Sequence, residues 1–424
     1  LHLDELYEYD QLYRLINTQR GNLSANRDAI TDKAFEQDWA LDATGNWDSF
    51  DEDLDGDGTN DLEQTRDHNE ANETGTIGAT SGTNWADPSH DAVGNMTSMP
   101  KPSDLGNSIS GTYDAWNRLV EVSDGGVLIA KFSYDGAGRR ILKQLADSQE
   151  PDQYIHFFHS GTQVVETREG DDSAGVPDPT ELPPRHQFVW SPRYVDSLIL
   201  RDDYDAQGQL VAGERLFYLA DANFNVTALV GLVETEPDVF EWQVVERYVY
   251  SPYGAVTIYT PDWSTVLAES AHDNTTLYTG REFDSETGLY YYRARYYHAE
   301  LGQFVSRDPI GYDAGDVNLY RYVGTSPIGR TDPTGLWTIL DLLWPPDCDT
   351  SEEPSQPELP TRYPHGIEGS NPQCDRLYQR AFFAQVDVAK ALSLIQLLEE
   401  QLDEAQELGQ WADLVTRIFR ARNA

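Results

Sequence analysis

The sequence predicts a mainly β fold of stacked hairpins, and two observations support this. First, a Tyr-Asp unit recurs along the chain, followed by two or three small or polar residues and then usually by Arg and Leu or Ile. The copies are YEYDQLYRL (7–15), TYDAWNRLVEV (112–122), FSYDGAGRRILKQ (132–144) and DDYDAQGQLVAGE (202–214). Second, apolar and polar residues alternate around other turns, as in YVYSPYGAVTIY (248–259), which is the period of a half-buried strand.

A single hairpin of this kind cannot bury its apolar face. Neighbouring hairpins must therefore stack side by side into a continuous sheet, which predicts a solenoid-like shell. The turn-like variants DATGNW (42–47) and DAVGNM (91–96) extend the repeat. With 24 Tyr and only 2 Met, the composition favours strands, because a Tyr ring packs on a sheet while its hydroxyl reaches water or backbone.

The Tyr-Asp units resemble the YD repeats of the RHS/YD-repeat family, which includes bacterial polymorphic toxins, the cocoon subunits of Tc toxins and the animal teneurins. The block at 277–336, with TGREFDSETGLYYYRARYY, GQFVSRDPIG and NLYRYV in order, is similar to the RHS repeat-associated core segment. The resemblance covers residues 1–336. It implies a hollow YD-repeat shell over 1–276 and a core over 277–336 that plugs one end.

Two Asp-Pro-x-Gly motifs lie in this block, in SRDPIG (306–311) and TDPTGLW (331–337). Asp, Pro and Gly are the residues that tight turns select, so one interpretation is a pair of surface turns. The alternative is a pair of carboxylates that cut the chain beside themselves. Residues 312–331 provide enough chain to fold the two motifs against each other.

In the toxin branch of the family, the two motifs belong to an intramolecular aspartic protease. The resemblance implies that Asp308 and Asp332 are the catalytic pair and that Arg307 is the basic residue beside them. It places the cleaved bond between Leu336 and Trp337. The chemistry is reasonable, because two close carboxylates share one proton, so that one activates water while the other polarises the carbonyl. No cofactor is expected for this reaction.

An acidic loop, FDEDLDGDGTNDLEQ (50–64), predicts a Ca²⁺ site inserted into the shell. Alternating carboxylates around a tight Gly turn can converge on a hard cation. The candidate ligands are Asp53, Asp55, Asp57, the Thr59 carbonyl and Asp61. The loop is similar to thrombospondin type-3 and dockerin calcium loops, but Gln64 replaces the Glu of an EF-hand, which predicts weaker binding. The alternative is a solvated Asp-rich loop.

The composition changes after Leu336. Residues 337–372 are predicted to form a Pro-rich linker, and residues 373–424 a helical segment with apolar residues at three- and four-residue steps. In polymorphic toxins this position holds the variable effector. The sequence beyond the boundary contains no His pair, phosphate loop or nucleophile–base spacing, so a helical interaction segment is favoured over an enzyme.

The net charge of −43 gives a surface that repels nucleic acid and anionic membranes, so we expect no binding of this chain to either through a basic patch. No apolar run reaches the roughly 18 residues of a transmembrane helix. The chain opens with LHLDELYEYD, which we interpret as a fragment that lacks its natural N-terminus. A secreted or cell-surface location is expected, with an immunity protein or a cell-surface receptor as partner.

Two functions remain open at this point. The first is an RHS-family shell that encapsulates or presents a variable C-terminal segment in a bacterial toxin or competition system and cuts itself once after Leu336. The second is a non-cleaving scaffold for cell-surface adhesion or recognition, similar to teneurins. A conventional enzyme acting on an external substrate has no support in the sequence.

Overall fold

Three antiparallel sheets follow one another along the chain. The computed structural model describes residues 3–146, 150–173, 176–211 and 213–336. Within these ranges the mainly β prediction is confirmed, because the regular structure consists of strands and short 3₁₀ turns. The predicted linker and helical segment, with Trp337, lie outside the described residues. In the described part of the chain, no helix is both long and apolar enough to span a bilayer.

The strands of each sheet lie in the order of the sequence. The first sheet contains β1 (Asp4–Tyr9), β2 (Leu15–Leu23), β3 (Ile30–Leu41), β4 (Trp47–Asp53), β5 (Leu62–His68) and β6 (Thr74–Ser81). The second contains β7 (Ser89–His90), β8 (Met96–Lys101), β9 (Asp104–Tyr113), β10 (Leu119–Asp124), β11 (Val127–Tyr134), β12 (Arg140–Leu145), β13 (Gln153–Ser160), β14 (Gln163–Asp171), β15 (His186–Trp190), β16 (Leu198–Asp203), β17 (Leu216–Ala220), β18 (Val226–Glu236), β19 (Val239–Tyr250), β20 (Val256–Tyr259) and β21 (Val266–Leu267). The third contains β22 (Glu282–Asp284), β23 (Leu289–Tyr292), β24 (Arg295–His298) and β25 (Gln303–Phe304). The 3₁₀ turns are Tyr278–Gly280, Gly311–Ala314 and Val323–Thr325.

The Asp of each Tyr-Asp unit closes a hairpin turn. In the turn between β9 and β10, Asp114 Oδ1 accepts the N–H of Trp116 at 2.8 Å and that of Arg118 at 3.0 Å. Its Oδ2 accepts the Arg118 Nε–H at 2.8 Å. The same pair of backbone contacts recurs at Asp10, Asp42, Asp91, Asp135, Asp205 and Asp221. The repeat is therefore a turn motif in which one carboxylate satisfies the backbone donors that a tight hairpin leaves unpaired.

The core segment closes the rim of the shell where these turns lie. Every second turn of an antiparallel meander falls on the same edge, so the turns of Asp91, Asp114, Asp135 and Asp221 line one rim of the second sheet, whereas the turn of Asp205, between β16 and β17, lies at the opposite edge. Tyr hydroxyls of the core segment donate to carbonyls of that rim: Tyr297 to Tyr253 at 2.8 Å, Tyr290 to Gly254 at 2.9 Å and Tyr320 to Gly94 at 2.7 Å. The predicted plug is thus a lid held by the backbone of the turns.

Aromatic side chains join the sheets to one another. Tyr253 of the second sheet's rim packs against Trp47 of the first sheet, with ring centroids 4.7 Å apart. The core segment adds a buried cluster of its own, and Tyr297 and Tyr322 lie 4.6 Å apart within it. Shell and lid therefore share a continuous apolar interior.

A buried charge network also ties the shell to the lid. Arg140 of β12 is 1% exposed, and its Nη1 lies 2.5 Å from Oδ2 of Asp284 in β22, which is 0% exposed. Lys143 Nζ lies 2.9 Å from the other oxygen of the same carboxylate. Burial acts to raise the pKa of Asp284, but these two cations hold it below its ordinary value. Asp284 thus bridges two buried cations across the shell–lid contact, and each cation has a second partner, Glu282 Oε1 at 2.5 Å from Arg140 Nη2 and Glu286 Oε1 at 3.2 Å from Lys143 Nζ.

Candidate active site

The first Asp-Pro motif is a tight turn that follows β25. The Asp308 N–H donates to the Leu319 carbonyl at 2.9 Å, and the Asp308 carbonyl accepts the Gly311 N–H at 2.9 Å. Asp308 Oδ1 accepts the Ile310 N–H at 3.0 Å. The side chain is buried, and these contacts leave Oδ2 to face the interior of the lid.

The second motif is a turn of the same kind. Asp332 is 3% exposed, and its Oδ1 accepts the N–H groups of Thr334 at 3.1 Å and Gly335 at 2.9 Å. Both motifs are therefore turns, as the simpler interpretation predicts. Each turn also presents a carboxylate in a fixed, buried orientation.

Arg295 of β24 brings the two carboxylates together. Its Nη2 lies 3.0 Å from Asp308 Oδ2 and 3.8 Å from Asp332 Oδ2. The guanidinium is itself buried, and its centre lies 3.6 Å from the centroid of the Phe304 ring. The sequence interval of 24 residues between the two aspartates is thus closed in space, as their predicted pairing requires.

Burial sets the protonation of this pair. Burial raises the pKa of Asp308 and of Asp332 above the ordinary value, and Arg295 opposes the shift at both. The negative charge of Asp332 raises the pKa of Asp308 further. Two carboxyls with raised pKa values beside one cation keep a proton to higher pH than an ordinary Asp does, since ionisation of Asp332 disfavours ionisation of Asp308.

The side chain of Arg307 bonds to residues other than the two aspartates. Its Nη2 lies 2.5 Å from Glu73 Oε1, and its Nε–H donates to the Tyr320 hydroxyl at 3.1 Å. Arg295, rather than the predicted Arg307, is the cation beside the two carboxylates. The RAR in YYYRARYY marks two candidate cations, but their positions along the chain do not reveal which one reaches Asp308.

The described residues end at Leu336, whose carbonyl belongs to the bond predicted to be cut. Arg295 Nε donates to the Gly335 carbonyl, and the Leu336 N–H donates to Thr334 Oγ1 at 3.3 Å. Leu336 is part-buried. The guanidinium that contacts both carboxylates therefore also contacts the backbone immediately before Leu336.

The acidic loop lies between β4 and β5. Carboxylate oxygens of Asp53, Asp55 and Asp61 lie within 4.8 Å of one another. Asp53 is buried and accepts the N–H groups of Gly56 at 2.7 Å and Gly58 at 2.9 Å.

Two features of the loop differ from the predicted ligand set. Asp57 is not in the group of three, and its Oδ1 instead accepts the Thr59 N–H at 2.7 Å. Lys33 Nζ lies 3.5 Å from Asp53 Oδ2, so a resident cation already faces the loop.

Comparison with known proteins links this architecture to toxin proteins. No family model matches the chain. The toxin protein Tse5 of Pseudomonas aeruginosa is 30% identical over 267 residues, which cover 60% of this chain. The toxin subunit YenC2 of Yersinia entomophaga is 39% identical over 108 residues, or 26% of this chain. The structure of the Tc holotoxin pore of Photorhabdus luminescens covers 80% of this chain with a TM-score of 0.55 at 19% identity. These comparisons confirm the predicted resemblance to RHS-family proteins.

The chain spans a small part of the length of these relatives. It spans 19% of Tse5, 10% of YenC2 and 9% of the tRNA nuclease WapA of Bacillus subtilis, to which it is 28% identical over 257 residues. It covers 15% of the matched Photorhabdus chain. A crystal structure of TcdB2-TccC3 without its hypervariable C-terminal region matches equally well, with a TM-score of 0.55 at 20% identity. The likeness to these solved structures concerns the fold of the RHS shell and its lid.

Proposed function

We propose that this RHS shell is part of an exported toxin system and cuts its own chain once, between Leu336 and Trp337. The observation that carries the proposal is the convergence of two buried carboxylates, Asp308 and Asp332, on one buried guanidinium. That guanidinium also contacts the backbone just before the bond. A purely structural turn needs its Asp to accept backbone N–H groups, but it does not need a second buried carboxylate beside the same cation.

The reaction is a hydrolysis. The ionised carboxylate takes a proton from a water molecule, and the water oxygen attacks the Leu336 carbonyl carbon. The protonated carboxyl donates to the carbonyl oxygen, and Arg295 balances the charge of the pair. Collapse of the tetrahedral intermediate breaks the C–N bond, and the nitrogen of Trp337 takes a proton. The products are a Leu336 carboxylate and a Trp337 amine, and the enzyme acts in cis and only once.

Intact-mass analysis of the purified chain tests this proposal. We expect two fragments whose masses meet between Leu336 and Trp337. Neutral, mild handling is needed, since Asp-Pro bonds break in acid and would give a fragment ending at Asp332 instead. A single intact chain of 47.8 kDa would contradict self-cleavage. It would favour the rival function, a non-cleaving scaffold for recognition at a cell surface.

The segment after the cut, 337–424, is on this proposal the part that the shell carries. The relatives named as toxins support a role in competition between cells. A toxic segment implies an immunity protein in the producing cell, whereas an adhesion scaffold implies a receptor. Expression of the full chain beside a chain ending at Leu336 separates the two, because growth arrest that needs 337–424 indicates a toxin.

We also propose that the acidic loop binds Ca²⁺ weakly. The three carboxylates of Asp53, Asp55 and Asp61 supply the hard oxygen ligands. The backbone N–H groups that donate to Asp53 fix its carboxylate in position. Titration calorimetry of the shell with Ca²⁺ is expected to show one site. Binding should be lost in Asp53→Asn and tightened in Lys33→Ala, which removes the competing ammonium. Equal heats in both variants would contradict a site at this loop.

A further inference from the structure

The hairpin turn between β23 and β24 holds the chain that leads to the proposed cut. Three successive residues of this turn donate to three successive carbonyls. The contacts are Arg293 Nη1 to Pro333, the Ala294 N–H to Thr334 at 3.2 Å, and Arg295 Nε to Gly335. The next carbonyl along the chain is that of Leu336, where the proposed cut begins. The turn therefore fixes the register of this segment, so that Leu336 is the first residue beyond the three bonded carbonyls.

Backbone geometry allows little slippage in this contact. Gly335 has φ +72°, and a Cβ there would lie 2.3 Å from the Tyr292 carbonyl oxygen. Arg293, on the facing chain, has φ +62° in a tight turn. Because only glycine fits where the two chains come closest, a shift by one residue would place Thr334 or Leu336 at this point and produce a clash.

A carboxylate from the shell fixes Arg293 in turn. Asp196 lies in the connection between β15 and β16 and is 1% exposed. Its Oδ1 lies 2.6 Å from Arg293 Nη2 and 2.7 Å from Arg281 Nη1. The same connection contributes Tyr194, whose hydroxyl lies 3.1 Å from Thr331 Oγ1. The shell therefore contacts the second motif directly at Thr331 and indirectly through Arg293, and neither contact involves the pair of aspartates.

We propose that Arg293, braced by Asp196, is a positioning residue that sets the register of residues 333–336 and so selects the bond after Leu336. This rests on the self-cleavage proposed above. Arg293 acts through the Pro333 carbonyl and touches no reacting atom. Neighbouring carbonyls lie one residue apart, or about 3.8 Å between Cα positions, so a loosened segment presents a different bond to the carboxylates.

The first test compares cleavage rate and cleavage position in Arg293→Gln and in the wild type. We expect cutting to slow by about 10- to 100-fold, with part of the product cut at an adjacent bond. The shape of the pH–rate profile should not change, since the cation beside the carboxylates is Arg295. Arg293→Lys keeps the charge but loses the planar guanidinium that contacts Pro333 and Asp196 at once. Its cleavage rate should lie between those of the wild type and Arg293→Gln. Asp196→Asn alone should also slow cutting, since it removes the carboxylate that braces Arg293.

Arg321→Gln is the matched control. Arg321 also lies in the lid, is similarly exposed (20% against 18%) and pairs with an aspartate, Asp316, but it contacts no carbonyl of the second motif. It should cut at the wild-type rate and position. Cutting by Arg293→Gln at the wild-type rate and at Leu336 alone would overturn the register role and leave self-cleavage standing.

A second measurement does not depend on cutting. In an uncut Asp308→Asn background, amide hydrogen exchange of residues 334–336 should be at least about tenfold faster with Arg293→Gln than with Arg321→Gln. Exchange in the first sheet should be equal in both, which shows that the variant is folded. Equal exchange at 334–336 overturns the proposed hold on the segment. A wild type that never cuts overturns the proposed function instead. The exchange result then still tests whether Arg293 holds residues 334–336 in place.

Discussion

The Asp308→Asn, Asp332→Asn and Arg295→Gln chains are expected to stay whole under conditions in which the wild type separates after Leu336. Asparagine can neither take a proton from water nor donate one as a carboxyl does, so each aspartate variant should be slower by about 10²- to 10⁴-fold. Loss of Arg295 removes the cation that balances the pair and should cost about 10²- to 10³-fold. Intact mass after timed cell-free synthesis measures all three.

Asp202→Asn provides the matched control for the aspartate variants. Asp202 is 5% exposed and is bonded to one arginine, with Arg215 Nε at 2.6 Å, so it resembles Asp308 in burial and partner. It lies in β16, and its partner Arg215 is also outside both motifs. It should cut like the wild type. If Asp308→Asn also cuts like the wild type, the paired carboxylates have no chemical role.

The pH dependence of cutting follows from the direction of the pKa shifts. One proton must remain on the pair, so the rate falls as pH rises past the upper pKa of the pair and falls again when both carboxyls are protonated. Because burial raises the pKa of both Asp308 and Asp332, the alkaline limb should lie above the ordinary Asp value of about 3.9. In Arg295→Gln the residual activity should persist to higher pH, since the lowering influence of the cation is gone.

Asp284→Ala is expected to give the largest loss of stability of any single change in the lid. It removes the one carboxylate that both Arg140 and Lys143 contact and leaves each cation with a single carboxylate partner, Glu282 for Arg140 and Glu286 for Lys143. Breaking a buried ion pair by removal of one partner costs about 3–5 kcal/mol. Urea unfolding, followed by Tyr and Trp fluorescence, measures the change. Asp67→Ala, at an exposed position of β5, is the control and should leave the midpoint nearly unchanged. A loss below about 1 kcal/mol would contradict the proposed balance of charges.

The sign of the pH effect on this network can be stated. The folded pKa of Asp284 lies below its unfolded value, so the carboxylate stabilises the protein above the unfolded pKa, and this stabilisation is lost as pH falls through the folded pKa. Wild type and Asp284→Ala should therefore differ most near neutral pH. Their unfolding midpoints should approach each other in acid.

Local sequence patterns predicted the shell because the repeat is a local device. The Asp of each Tyr-Asp unit bonds backbone groups two and four residues later, so the sequence itself contains the whole turn. The lid was predicted from an ordered block of residues, and the pairing of Asp308 with Asp332 from the resemblance. These features depend on residue type and short spacing.

The arginines could not be assigned in this way. Arg307 adjoins Asp308 in sequence yet turns to Glu73, which is 234 residues away, whereas Arg295 reaches Asp308 across the third sheet. The bond of Asp196 to Arg293 spans 97 residues. Such contacts depend on how the lid lies on the shell, and no local pattern records that.

The hydroxyl bonds between lid and rim have a consequence for how the turns can vary. Tyr290, Tyr297 and Tyr320 donate to main-chain oxygens, which every amino acid supplies. The exposed residues at the turn tips, such as Val93 and Trp116, can therefore change without breaking these bonds. Gly94 and Gly254 cannot, because their φ is positive and a Cβ would lie 2.3 Å from Arg307 Nε or 2.6 Å from the Tyr278 ring. The exposed tips of the turns can therefore vary in sequence, while the hydrogen bonds beneath them depend on the path of the backbone.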